Sequence, residues 1–118
     1  MATKVRWRNA PLEKDYEAAT RYLSLVLGPR RASTVTRALR AAPIERHVGR
    51  DLMRAAGYGP SAYDDKSQRK EIEKGRSLAP VLIVRNARDA RVIIADGYHR
   101  LGAVCELDPE CQVPCKVV

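Results

Sequence analysis

The chain has no phenylalanine, one tryptophan and five tyrosines among its 118 residues. Aromatics at 5% exclude an extended platform on which bases of a single strand could stack. No apolar run approaches the roughly 20 residues that a membrane-crossing helix needs, so no membrane partner is expected. Cysteine is scarce as well. Cys105, Cys111 and Cys115 are odd in number and form no C-x-x-C pair, which leaves free thiols and no metal site as the expectation. Residues 1–8 lack the apolar centre of a secretion signal, giving a cytoplasmic expectation. No internal repeat and no low-complexity segment occurs.

Acids are outnumbered by bases, 14 to 22, for a net charge of +8 and a pI near 9.8. A field of that sign favours anionic partners: a nucleotide, nucleic acid or an acidic protein. Arginine supplies most of it, and its planar fork suits phosphate oxygens.

The strongest local pattern lies near the C-terminus. The apolar run Val92-Ile93-Ile94-Ala95 stops at Asp96-Gly97, and Tyr98 to Leu107 is helix-compatible. This reads as strand, tight turn and helix start. A helix N-terminus presents unpaired N–H groups and the positive end of its dipole. Gly97 permits unusual φ and close approach of a ligand. His99 and Arg100 add donors, so Gly97, Tyr98, His99 and Arg100 form a candidate phosphate cradle. The same residues also fit a plain turn, in which Asp96 caps the helix and His99 and Arg100 face water.

Upstream, Leu12, Tyr16, Ala19, Leu23 and Val26 recur at helical spacing and predict a helix over Pro11–Leu27, stopped by Gly28-Pro29. A second, shorter helix is expected with Ser33 as N-cap and Val35, Ala38, Leu39 and Ala42 inside. A third is expected over Pro43–Ala56, ended by Gly57. On that third helix Arg46, Arg50 and Arg54, four residues apart, form one basic stripe beside His47. It is either a solvated face or a contact for nucleic acid. Residues 57–63, rich in Gly and Pro, mark a boundary between a helical half (1–57) and the remainder (64–118) of a single domain.

Asp64–Lys74 reads as a polar helix carrying Lys66, Arg69, Lys70 and Lys74. Val81–Arg85 and Arg91–Ala95 are apolar strands joined by Asn86–Ala90, and so predict a β-hairpin. Gln112–Val118 is a last strand, which Pro114 demotes toward an edge. The fold class is α/β (α+β): a helical N-terminal half packed on a small mixed sheet with a β-hairpin and a C-terminal helix and strand.

The order of these pieces resembles the ParB/sulfiredoxin superfamily. The matching residues are Gly75, Leu78, Pro80, Val81 to Arg85, Val92 to Ala95, Asp96-Gly97-Tyr98-His99-Arg100, Ala103 and Val113 to Val117. They lie within Asp64–Val118, a little under half of the chain. The resemblance implies a small α/β domain whose Gly-x-x-Arg turn holds nucleotide phosphates, through Gly97, Tyr98, His99 and Arg100. By position it adds Lys66, with Arg69 or Lys70, from the preceding helix. It implies a nucleotide (ATP, ADP or CTP) as ligand, with Mg²⁺ compatible.

Tyr98 stands where sulfiredoxins carry their reactive cysteine, so sulfinic-acid reduction is not implied. Tyr98 and His99 replace the Glu and Arg of the ParB turn, so neither is a CTP-gated DNA clamp. The turn looks closer to the Asp-Gly-His-His-Arg branch, which includes an ADP-dependent free-serine kinase. There His99 and Asp96 would be catalytic, Asp96 holding a metal or orienting a hydroxyl. Three readings follow: a nucleotide-binding protein of the phosphotransferase kind, a DNA-binding or nuclease-like module, and a non-catalytic adaptor or regulatory protein. A homodimer is compatible with each.

Overall fold

Gly28 sets the geometry of the N-terminal half. A computed structural model describes residues 4–86 and 88–118. In it Gly28 has φ 87° and ends helix α1 (Glu13–Leu27) while serving as the residue before helix α2 (Pro29–Ala41). Pro29 occupies the first position of α2, where its missing N–H removes no helical bond. The expected N-cap Ser33 therefore lies inside α2. Pro11 precedes α1, whose start is fixed by Asp15: its carboxylate accepts the Leu12 N–H at 2.7 Å. Tyr16, Ala19 and Leu23 are buried, as their spacing requires, whereas Val26 is 47% exposed. The two helices are joined by a Thr20–Thr36 hydroxyl bond of 2.8 Å and by Arg40, which pairs with Glu13 and lies over the Tyr16 ring.

The predicted third helix is broken. Glu45–Val48 is a strand, β2, and only Gly49–Ala55 is helical (α3). β2 runs antiparallel to the last strand, placing Arg46 opposite Pro114. Gly49 explains the change of state: its N–H donates to the Cys111 carbonyl, and a Cβ there would come within 2.9 Å of Cys105 Sγ. Helical spacing alone hid this, though a glycine in the interior of a helix is a weak point. Ile44 and Val48 are half-buried and Ala55 exposed, while Leu52 and Met53 are buried.

A single 3-10 turn at Pro60–Ala62 leads to α4 (Lys66–Glu73). Strand β3 (Ser77–Leu78) pairs in parallel with an N-terminal strand β1 (Arg6–Trp7). The hairpin expected from the two apolar runs is present as β4 (Val81–Asn86) and β5 (Arg91–Asp96). Its connection includes Ala87, which lies outside the described residues. Helix α5 (Tyr98–Leu107) and strand β6 (Gln112–Val117) complete the chain.

The main sheet has the order β2-β6-β4-β5. β6 is thus central, contrary to the edge position expected from Pro114. Its parallel pairing with β4 begins at Cys115, one residue past the proline, so the missing N–H falls outside that ladder. Alternate side chains feed two cores. Leu82, Val84 and Ala95 meet α1 and α2, whereas Val81, Ile83, Ile94, Val113 and Cys115 meet Leu52, Met53, Ile72, Leu101 and Val104. This α/β architecture does not divide at residues 57–63, because β2 and α3 pack with the C-terminal elements.

Candidate functional site

β5 ends in the predicted turn, and α5 begins directly after it. Gly97, not Asp96, caps α5, with φ 102° and ψ 14°. A Cβ at this position would lie 2.9 Å from Arg100 Nη2 and 3.1 Å from Val81 Cγ2, so both backbone and packing demand glycine. Among the described residues no protein group accepts from the N–H groups of Tyr98, His99 or Arg100. These donors remain open to a ligand.

Arg100 corrects the cradle. Its side chain is only 16% exposed. Nε donates to the Ala79 carbonyl at 3.1 Å, and Nη2 donates to the Pro80 carbonyl at 3.3 Å and to Asp96 Oδ2 at 3.1 Å. The guanidinium ties the start of β4 to the end of β5 and does not reach outward as a phosphate ligand. Asp96 is accordingly its anionic partner instead of a free catalytic carboxylate. Burial pushes the Asp96 carboxyl up, Arg100 opposes that shift, and the neighbouring Asp15 carboxylate adds to it.

His99 is placed differently. Its side chain is 71% exposed, with Nδ1 2.7 Å from Asp65 Oδ2. The other Asp65 oxygen accepts the Gln68 N–H at 2.9 Å and caps α4. One carboxylate thus joins the starts of α4 and α5 and orients the imidazole, leaving Nε2 free to exchange a proton. Local spacing gives no sign of the Asp65–His99 pair, which spans 34 positions. Lys66 opens α4 beside Asp65, exposed and with no anionic partner among the described residues.

Arg69 does not join this group. It faces Glu106 at 2.6 Å and Glu73 at 3.7 Å. The proposed stripe of Arg46, Arg50 and Arg54 also fails as one surface, because Arg46 sits on β2 and the others on α3. Arg50 pairs with Glu110 at 2.6 Å, and Arg54 lies 4.0 Å from Asp51.

The turn opens onto a cavity of about 510 Å³ whose lining includes Tyr22, Val26, Tyr58, Arg91, Tyr98 and His99. Tyr98 packs against Tyr58 with ring centroids 4.9 Å apart and meets the His99 ring at 5.3 Å. The volume is that of a small-molecule site. Of the carboxylates near the turn, Asp96 is engaged by Arg100 through Oδ2, and Asp65 by His99 and a backbone N–H. Cys105 and Cys115 are buried free thiols, and burial pushes each up to about 12. Both are held as thiols, remote from nucleophilic chemistry. No family model matches the chain, and neither the curated proteins nor the solved structures contain a match.

Proposed function

We propose that the protein binds a phosphorylated small molecule of nucleotide size at the start of α5. The observation that carries this reading is the set of unpartnered amides after Gly97, opening directly onto the tyrosine-lined cavity. An anion there gains from the helix dipole as well as from the amides. Tyr22, Tyr58 and Tyr98 offer flat apolar surface to a base, His99 supplies a donor on the cavity lining, and Lys66 opens the neighbouring helix α4. The resemblance to the ParB/sulfiredoxin pattern points to the same turn. Arg100 acts in this reading by bracing the turn, not by touching phosphate.

Phosphotransfer is the reaction class these groups suit. Asp65 would hold His99 Nδ1 protonated, so that Nε2 accepts the proton of an attacking hydroxyl. Positioning and amide donors would stabilise the charge on the transferred group.

Thermal melting against a panel of nucleoside di- and triphosphates, with and without Mg²⁺, tests this. At least one nucleotide is expected to raise the Tm, and the double variant Lys66→Ala/His99→Ala is expected to lose that shift while melting normally alone. An unmoved Tm across the panel would overturn the reading.

Nucleic acid is a second anionic ligand class. The net charge favours it, together with Arg30, Arg31, Arg37, Arg85 and Arg88, which are exposed without anionic partners among the described residues. Affinity for duplex DNA that falls steeply with added salt would support it.

A further inference from the structure

Beyond the small-molecule reading, and as a competing occupant of the same cavity, we propose that the free edge of β5 receives an extended segment of a partner protein, adding it to the sheet as a further strand. The segment is apolar along its length and acidic at the end lying beside the β4–β5 turn.

The position of the cavity carries this. Among the described residues β5 pairs with β4 alone, and no other backbone or side-chain group bonds to its outer side. The cavity is lined by every residue from Arg91 to Gly97 in succession. Side chains of a strand alternate between faces, so a cavity over one face would touch every second residue. Contact with all of them places the cavity along the strand's edge. Its walls come from both layers of the fold, Tyr22 and Val26 from α1 on one side and Tyr58, just after α3, on the other.

Those three are among the four large apolar side chains that the described residues leave exposed, at 46%, 47% and 41%. Apolar exposure of this kind gathered around an unpaired edge marks a binding surface. Six residues of strand span about 20 Å, the reach of a short peptide.

Charge selects the occupant. Arg91 begins the edge, and Arg85 and Arg88 lie at the same end, all exposed and without anionic partners among the described residues. Asp89 nearby is bonded to the Asn86 amide at 3.1 Å. An acidic group arriving there meets three arginines against the one carboxylate of Asp89, a net positive end. A second copy of the chain is a poor occupant, because its own β5 lies recessed between equivalent walls that would collide with these.

The test begins with a random octapeptide library displayed on phage and panned against the whole protein. Enriched peptides are expected to alternate apolar residues and to carry an acidic end. Resynthesised with N-methyl groups on alternate residues, in both registers, one register is expected to lose binding while the other keeps it. Val26→Asp, on the wall, is expected to weaken binding at least about tenfold with normal melting. Amide exchange is expected to slow along residues 91–96 on peptide binding. Absence of enrichment, indifference to N-methylation in both registers, or slowed exchange at β2 instead of β5 would overturn the proposal. So would a dimer whose β5 amides are already protected without peptide.

Discussion

The two edges of the main sheet are built differently. β2 carries Glu45, Arg46 and His47, with the imidazole 2.7 Å from the Glu45 carboxylate. Charged side chains on an edge discourage further strands from pairing with it. β5 carries Val92, Ile93, Ile94 and Ala95 and has no such charge between its two ends. It is recessed instead, between α1 and the segment containing Tyr58. One edge is thus closed by chemistry, the other guarded by its walls and open to whatever is narrow enough to fit. The difference separates a structural margin from a binding margin within one sheet.

The sharpest way to break that contrast is to remove the support of the α1 wall. Leu23 is fully buried between α1 and the sheet, and Leu23→Ala is expected to cost about 2–5 kcal/mol in urea unfolding. A loss below about 1 kcal/mol would mean that α1 is not packed over the strand as described.

Next comes the brace at the end of the same strand. Arg100→Ala strands the Asp96 carboxylate and two carbonyls, for an expected loss of about 2–3 kcal/mol at neutral pH. The folded-state carboxyl of Asp96 is already raised, so its contribution to stability is fully present below the unfolded pKa and is lost as pH rises through the folded one. Removing the guanidinium raises it further. The deficit of the variant is therefore expected to be largest near neutrality and to shrink on acidification, as read by melting across pH. An exposed phosphate ligand would give neither effect.

On the opposite edge, His47→Ala is expected to change stability by no more than about 0.5 kcal/mol, because its pair with Glu45 is 44% and 37% exposed and screened by solvent. A substantial loss there would erase the distinction between the two margins.

Local patterns in the chain carried the hairpin, the amphipathic α1 and the strand-turn-helix at Asp96-Gly97. Each depends on near neighbours and on residues with restricted geometry. What could not be read depends on partners far along the chain. β2 became a strand because β6 lies beside it and Gly49 must clear Cys105. β6 moved to the centre because Pro114 falls just before the register with β4. Arg100 turned inward to meet the carbonyls of Ala79 and Pro80, some 20 residues away in sequence. Spacing places an arginine at a helix start but gives no direction to its side chain. The Asp65–His99 pair was hidden for the same reason.

Gly28 has a mechanical consequence for all of this. As the sole residue between α1 and α2, it leaves the pair no slack, and the hydroxyl bond and the Arg40 clamp couple them along their length. An occupant that presses on Tyr22 and Val26 therefore presses on α1 and α2 as one braced unit, so the wall of the groove is two helices thick in stiffness although only α1 lines it.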